Sequence, residues 1–271
     1  MINLVRVPDR ADYMLEEAHR VGLGDINLFA AIDAQDLDIE GAARFYKPRA
    51  WEKYWELSKS EVACFESHLS LWRQCAQGNQ PYVICEDDIV ISQSAKSALL
   101  ELQNYSNDFD LIHLDSGSGI HRIGKPVLWG SLQISSIVET VNSAAFYMLS
   151  PEGARKLVER AEQGYCDHAD DFLTRPLKGH RAYQLVPAVA IQGMFAEPAH
   201  VHPSIRVSER TARPRLNTPP SKGPVTYRLI KEMRRTYRRR MQKYILDGKL
   251  IRSGGAVGQI PLANDLPEYR S

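Results

Sequence analysis

Short apolar runs alternate along much of the chain with segments whose apolar residues recur at helical spacing. The runs predict strands at Ile2–Val7, Leu28–Ile32, Pro81–Cys85, Asp110–Leu114 and Ser143–Leu149, and the spacing predicts helices at Arg10–Val21, Ser58–Gln77, Ser94–Asn104 and from Ser150 onward. Such alternation is typical of folds in which helices connect neighbouring parallel strands. We therefore predict an α/β fold with a mixed, largely parallel sheet.

The composition excludes several classes of protein. The 271 residues are 44% hydrophobic and 25% charged, which is typical of a globular chain and not of a disordered or fibrous one. We find neither an apolar run of eighteen residues nor a signal-peptide core, and the four cysteines lack metal-site spacing. We therefore expect a cytoplasmic protein with reduced thiols.

Positive charge is concentrated late in the chain. Residues 206–243 contain 13 lysines and arginines against two acids, Glu209 and Glu232. Residues 227–245, which overlap this range, have the pattern of a helix with a narrow apolar stripe among cations, as in helices that lie on anionic membranes. The alternative is a helix docked on the acidic body of the same chain. We divide the chain into an α/β domain at 1–197, a proline-rich wrapping segment at 198–226, and a basic amphipathic helix and tail at 227–271.

Three adjacent carboxylates, Glu86, Asp87 and Asp88, follow the strand predicted to end at Cys85. They repel one another and must be solvated or neutralised, and Mg²⁺ or Mn²⁺ neutralises such groups well. Alternation along an extended backbone places Glu86 and Asp88 on one side, where both can face one ion. Ligands bind preferentially at the carboxyl ends of strands in α/β sheets. An acidic turn facing water is the alternative.

Five segments, in this order, resemble motifs of glycosyltransferase family 25. Ile2–Arg10 is similar to the family's opening INLDRRPDR, and Ser60–Trp72 to its GEIGCxLSHxxxW. Val83–Ile89 is similar to LVLEDDV, Phe109–Leu114 to WDLIYLG, and Ala145–Leu157 to AYLISPEGARKL. The resemblance covers about residues 1–195.

This resemblance implies a GT-A fold over the 1–197 domain, which would then be catalytic. It implies an inverting enzyme that moves a sugar, most often galactose, from a UDP-sugar and builds a β-linkage. The implied site residues are Glu86 and Asp88 for Mn²⁺ or Mg²⁺ and the diphosphate, Asp87 for the donor sugar or ribose, Asn3, Leu4 and Arg10 for the nucleotide, and Ser67 and His68 for the donor pocket or its support.

A second acidic cluster, Asp167, Asp170 and Asp171, follows the helix that begins at Ser150. Inverting transfer needs a base that removes the proton from the acceptor hydroxyl, and a carboxylate usually serves. The family has an aspartate in contexts similar to the one around Asp170, which we predict to be the base, with Asp167 in reserve. The alternative is that Asp167 caps a helix and that the other two are first-turn acids favoured by the helix dipole.

His200 and His202 are candidates for a further metal ligand, because GT-A enzymes often take one late in the chain. Surface histidines in a proline-rich loop are the alternative.

We expect the acceptor to be a lipid-linked oligosaccharide of the lipooligosaccharide or LPS core, because the basic helix suits an anionic membrane face. The enzyme would then be peripheral on the inner face of the cytoplasmic membrane. The competing hypotheses are a nucleic-acid-binding module, although no such motif is found and we expect no nucleic acid partner, and a metal-dependent phosphohydrolase that uses both acidic clusters.

Overall fold

The structure, a computed structural model, describes residues 1–37, 57–163, 167–206 and 224–270. Its helices are α1 Pro8–Arg20, α2 Lys59–Gln77, α3 Ala95–Gln103, α4 Pro151–Glu162, α5 Ala169–Thr174, α6 Val225–Met241 and α7 Asp247–Arg252. Its strands are β1 Ile2–Asn3, β2 Phe29–Ala30, β3 Tyr82–Cys85, β4 Ile89–Ile91, β5 Leu111–His113, β6 Asp115–Ser116, β7 His121–Trp129, β8 Leu132–Ile137, β9 Phe146–Leu149, β10 Ala182–Val186, β11 Ala190–Gln192 and β12 Ala256–Gly258. A π-helical turn at Gln242–Leu246 joins α6 to α7, and short 3₁₀ turns lie at Pro198–His200 and Pro203–Ile205.

The main sheet is mixed, as predicted, but it is not largely parallel. Its strand order is β12-β7-β8-β10-β5-β9-β3, and among the described strands only β5 and β10 pair in parallel within it. Strands β3 and β5 do run in the same direction, but β9 enters between them and pairs antiparallel with both. The long hairpin β7–β8, which the sequence did not suggest, adds further antiparallel pairings.

Two smaller sheets adjoin the acidic triplet. Strand β1 pairs in parallel with β2, and β11 lies between β4 and β6. The triplet is the connection between β3 and β4, and Ile2 of β1 forms an isolated bridge with Glu86. The carboxylates therefore lie where the edge of the main sheet meets both smaller sheets.

Helix α2 is fixed at its start by a capping box and along its length by an aromatic cluster. Ser58 accepts a hydrogen bond from the Glu61 amide, and the Glu61 carboxylate accepts one from the Ser58 amide. Phe65 and Trp72, both buried, pack on Phe172 of α5 with ring centroids 5.0 and 5.6 Å away. These contacts hold α2 and α5 together and set the position of each polar residue on them.

The C-terminal part contains an exposed helix and a segment that returns to the body. Helix α6 is largely exposed, and Arg122 of β7 forms an ion pair with Asp247 at the start of α7. Strand β12 then pairs with β7, and the buried Ile260 lies beyond it. No helix in the described ranges is both long enough and apolar enough to cross a membrane. The division of the chain at residues 198 and 227 into an α/β domain, a wrapping segment and a basic tail stays a prediction.

Candidate active site

A cleft opens beside the acidic triplet. Its walls come from β1, the segment after β2, one face of α2, the triplet itself and the end of β11. The lining includes the predicted site residues Asn3, Leu4, Arg10, Ser67, His68, Glu86, Asp87 and Asp88. Residues separated by more than eighty positions in sequence thus share one cavity.

Glu86 divides its two carboxylate oxygens between two sets of partners. Its Oε1 lies 3.1 Å from His68 Nε2 and 3.9 Å from the thiol of Cys64. Its Oε2 accepts a hydrogen bond of 3.1 Å from the side-chain amide of Gln192. One carboxylate therefore connects α2 to β11 across the floor of the cleft.

Asp88 is buried and shares the amide of Gln192 with Glu86. Gln192 Nε2 lies 3.2 Å from Asp88 Oδ1. Burial, followed by repulsion from Glu86 and Asp87, raises the pKa of Asp88 to about 7. The expected convergence of Glu86 and Asp88 is present in the structure, and a cation near them would relieve this repulsion.

Asp87 has partners of a different kind, because it is bound by two residues of the N-terminal segment. Asn3 Nδ2 donates to its Oδ2 at 2.7 Å, and Arg10 Nη1 lies 3.1 Å from its Oδ1. Arg10 also donates to the Ser204 carbonyl. Burial raises the pKa of Asp87, and the charge of Arg10 opposes that rise. Three residues predicted to contact the donor thus bond to one another, which secures β1 and α1 against the triplet.

Ser67 and His68 of α2 support the cleft wall. Ser67 Oγ accepts from the Ile32 amide at 2.9 Å and donates to the Ala63 carbonyl. His68 is buried, and its Nδ1 lies 2.8 Å from the hydroxyl of Tyr147. Because an ionised Glu86 can only accept, the neutral ring carries its proton on Nε2 and accepts from Tyr147 at Nδ1.

The second acidic cluster lies at the start of α5. Asp167 forms a close ion pair with Arg175 and accepts from the His168 amide at 3.0 Å. Asp170 Oδ1 accepts from the Asp171 amide at 2.8 Å. Burial, then repulsion from its neighbours Asp170 and Asp167, raises the pKa of Asp171. His168 is the N-cap residue in place of Asp167, and its side chain makes no capping hydrogen bond.

Glu61 connects this second cluster to α2. His168 Nε2 lies 3.1 Å from Glu61 Oε1, and its hydrogen bonds to Asp167 and Glu61 raise the pKa of His168 to about 10. Glu61 and His68 lie seven residues apart, which places them on one helix face with about 10 Å between their Cα atoms. Helix α2 therefore contacts the acidic triplet through His68 and is linked to the second cluster through Glu61 and His168, a role for Glu61 that sequence reasoning missed.

The late histidines lie beside α1. The His202 ring stacks on Tyr13 with centroids 5.1 Å apart, and its Nδ1 lies 2.7 Å from the hydroxyl of Ser204. His200 belongs to an exposed 3₁₀ turn. In the described part of the chain neither histidine lines the cleft, and their role as metal ligands stays a prediction.

A buried polar network behind Gln192 also escaped the sequence analysis. Ser143 lies 3.5 Å from Gln192 Oε1 and donates closely to Asp115, which is also 3.1 Å from His113 Nε2. All of these residues except Gln192 are at most 3% exposed. The only local signal was polar residues in apolar strands, because the partners come from distant segments.

The donor groups at the cleft floor fit a hard divalent cation. Glu86 Oε2 and Asp88 Oδ1 are carboxylate oxygens held toward the same amide, and Mg²⁺ and Mn²⁺ prefer oxygen ligands. Asp87 fits this role less well because Arg10 and Asn3 already occupy both of its oxygens. Two of the three acids are thus suited to hold the ion.

Comparison with known proteins confirms the family resemblance. Residues 1–123 match the model of glycosyltransferase family 25 (LPS biosynthesis protein). The chain is 26% identical over 220 residues to a procollagen galactosyltransferase 1 of Danio rerio, covering 75% of this chain and 36% of that protein. It is 25% identical over 224 residues to a human procollagen galactosyltransferase 2, and this match covers 75% of this chain and 34% of the human protein.

A bacterial protein matches a shorter stretch. The lipooligosaccharide biosynthesis protein lic2B of Haemophilus influenzae is 25% identical over 147 residues, covering 51% of this chain and 55% of that protein. The matches thus span about a third to a half of the length of these relatives. The family match and the names of these relatives support the prediction that the chain is a glycosyltransferase.

Proposed function

We propose that this chain is a glycosyltransferase of family 25 that moves a sugar, with galactose the first candidate, from a UDP-sugar to a lipooligosaccharide or LPS core acceptor. The transfer proceeds with inversion and forms a β-linkage. The observation that supports this most directly is the convergence of Glu86 and Asp88 on the Gln192 amide. They do so in a cleft walled by the two N-terminal segments that resemble family motifs.

In this proposal Glu86 and Asp88 hold Mn²⁺ or Mg²⁺ against the donor diphosphate. When bound, such an ion supplies Lewis-acid stabilisation of the departing diphosphate. The chain's own contribution is positional: Gln192 fixes both carboxylates, and the pairing of Asp87 with Arg10 keeps the N-terminal wall of the cleft in place.

The donor test is hydrolysis of a panel of UDP-sugars by the purified protein, with Mn²⁺ and then with EDTA. Release of UDP from one sugar, only with metal, is the expected result and identifies the donor. If neither release nor donor binding by thermal shift is found with any UDP-sugar, the proposal is wrong. Release of phosphate from simple phosphate esters would support a phosphohydrolase instead.

Asp170 is the proposed base that takes the proton of the acceptor hydroxyl. Asp167 is held by Arg175 and His168, whereas the Asp170 carboxylate accepts a hydrogen bond from the backbone amide of Asp171 at the partly buried start of α5. Replacement of Asp170 by Asn should leave UDP binding intact and lower transfer by roughly 10² or more. Asp167→Asn is the matched control, and loss of transfer in that variant alone would move the base to Asp167.

We also propose that 227–245 binds an anionic membrane, which would place the enzyme at the inner face of the cytoplasmic membrane beside a lipid-linked acceptor. The apolar residues of α6 are exposed rather than docked on the body: Met233 is 63% and Tyr237 65% accessible. Cations surround them, and each base near an anionic surface contributes about 1 kcal/mol.

Point substitutions test this proposal better than removal of residues 226–271, because that deletion would also remove β12 and the buried Ile260. Met233→Asp combined with Tyr237→Asp should release the protein from anionic vesicles. The control pair Thr226→Asp and Thr236→Asp adds the same charge with less loss of apolar area. Unchanged vesicle binding by the first pair would refute the proposal, as would equal affinity of the wild type for a random DNA duplex.

A further inference from the structure

A cysteine, a histidine and a glutamate converge on the α2 side of the cleft floor. Cys64 and His68 lie four residues apart on α2, a spacing that puts both side chains on one helix face. One ligand atom of each and one carboxylate oxygen of Glu86 all lie within 4.8 Å of one another. Cys64 forms no disulfide and is partly accessible, and all three residues line the cleft.

These separations suit a tetrahedral zinc ion. Zinc bonds of about 2.3 Å to sulfur and about 2.0 to 2.2 Å to nitrogen and oxygen place neighbouring ligand atoms roughly 3.3 to 3.6 Å apart. The observed separations are 3.1 Å from His68 Nε2 to Glu86 Oε1 and 3.9 Å from Cys64 Sγ to the same oxygen. These two separations are within a few tenths of an ångström of the tetrahedral values, and the third, between Cys64 and the His68 ring, is at most 4.8 Å.

Tyr147 can serve as the fixed partner that a metal-bound His68 needs once the ring proton is on Nδ1. A histidine that binds metal through one ring nitrogen usually donates the other N–H to a fixed partner. Here Nδ1 lies 2.8 Å from the Tyr147 hydroxyl, which in turn accepts from Trp72 Nε1 at 2.8 Å. Tyr147 and Trp72 are fully buried, so the ring has a rigid support.

We propose that Cys64, His68 and Glu86 form a binding site for Zn²⁺ or another thiophilic divalent cation, with its remaining position open to the cleft. On binding, the Cys64 thiol loses one proton to solvent. The His68 proton moves from Nε2 to Nδ1, which then donates it in a hydrogen bond to the Tyr147 oxygen, and the hydroxyl hydrogen of Tyr147 turns away from the ring. A thiolate ligand favours zinc over magnesium, so this site differs in its preference from Glu86 with Asp88.

The two sites share Glu86 through different oxygens, Oε1 toward Cys64 and Oε2 toward Gln192 and Asp88. Zinc at the first site turns Glu86 toward α2 and draws charge away from the second. Under the proposed function, low concentrations of zinc should therefore inhibit manganese-dependent release of UDP. This consequence rests on the proposed function, whereas the zinc site itself does not.

Cobalt spectroscopy on the full chain tests the site without any measurement of activity. Co²⁺ bound to a thiolate gives a sulfur-to-metal charge-transfer band in the near ultraviolet, and tetrahedral coordination gives intense visible bands. We expect both in the wild-type protein, with displacement by one equivalent of Zn²⁺. Cys64→Ser should abolish the charge-transfer band, whereas Cys75→Ser, the matched control at a buried thiol bonded to the Leu149 carbonyl, should retain it.

His68→Gln provides a second variant with the thiol intact. It should weaken zinc binding, measured by competition with a chromophoric chelator, by about 100-fold or more, since loss of an outer-shell partner alone costs 10- to 100-fold. Absence of the charge-transfer band in the wild type, its persistence in Cys64→Ser or its loss in Cys75→Ser would overturn the proposal. If the band behaves as expected but no UDP-sugar is either hydrolysed or bound, the zinc site stands and the proposed function alone fails.

Discussion

Replacement of Arg10 by Met should be strongly destabilising, because it leaves Asp87 buried without its cation. The side chains of Arg10 and Asp87 are only 5% and 11% exposed. Removal of one partner from a buried ion pair costs about 3–5 kcal/mol, most of it from the charge left behind. Urea unfolding monitored by tryptophan fluorescence should show a loss of this size in the free energy of unfolding.

Two controls separate this effect from simple loss of a charge. Arg6 lies in the same segment and pairs with Asp33, but its side chain is 41% exposed, so Arg6→Met should cost about 1 kcal/mol or less. The double variant Arg10→Met with Asp87→Asn removes both charges and should be more stable than Arg10→Met alone. Equal costs for Arg6→Met and Arg10→Met, or strictly additive effects in the double variant, would refute the reasoning.

The difference in stability between the wild type and Arg10→Met should change with pH in a defined direction. Burial already raises the pKa of Asp87 in the wild type, and loss of Arg10 raises it further. A carboxyl whose pKa is higher in the folded than in the unfolded protein destabilises the fold above that pKa and ceases to do so once protonated. The stability gap between wild type and variant should therefore narrow as the pH falls through the raised pKa of Asp87.

Three further predictions concern the scaffold. Ser58→Ala should cost about 1 kcal/mol in thermal unfolding through loss of the α2 cap, and unchanged stability would show that the cap is unimportant. His168→Gln should be less stable than the wild type below pH about 6.5, because the raised pKa of His168 makes its protonated form the stabilising one. This difference in the free energy of unfolding should close as the pH rises toward 10, and a difference that does not vary with pH would contradict the prediction. A Cβ at Gly153 would lie 2.2 Å from the Asp110 carbonyl oxygen, so Gly153→Ala should cost about 1–3 kcal/mol in urea unfolding, and a neutral result would refute the close packing of α4 on β5.

Local elements could be predicted because their signals are local. Helix α2 occupies Lys59–Gln77 where the sequence predicted 58–77, since the cap and the apolar spacing lie within the segment itself. Helix α4 likewise begins at Pro151, directly after its N-cap residue Ser150, as the sequence predicted. Strand pairing had no such signal: nothing within β9 indicates that it inserts between β3 and β5.

The same contrast between local signals and long-range contacts applies to the candidate site. The acidic triplet and its position after a strand were apparent from the sequence, whereas the partners of each acid were not. Asn3 and Arg10 lie 84 and 77 residues from Asp87, and Gln192 lies 104 from Asp88. Chemically similar neighbours thus have different environments, with Asp87 paired and Asp88 repelled, because tertiary contacts decide which carboxylate is neutralised.

Binding of UDP in the presence of Mn²⁺, measured by isothermal titration calorimetry on wild type and Asp88→Asn, tests the proposed role of the triplet most directly. The matched control is Asp170→Asn, which should bind UDP as the wild type does. If Glu86 and Asp88 hold the ion, binding by the wild type disappears with EDTA, and Asp88→Asn loses the manganese-dependent part. Manganese-dependent binding of equal strength in Asp88→Asn would contradict the account.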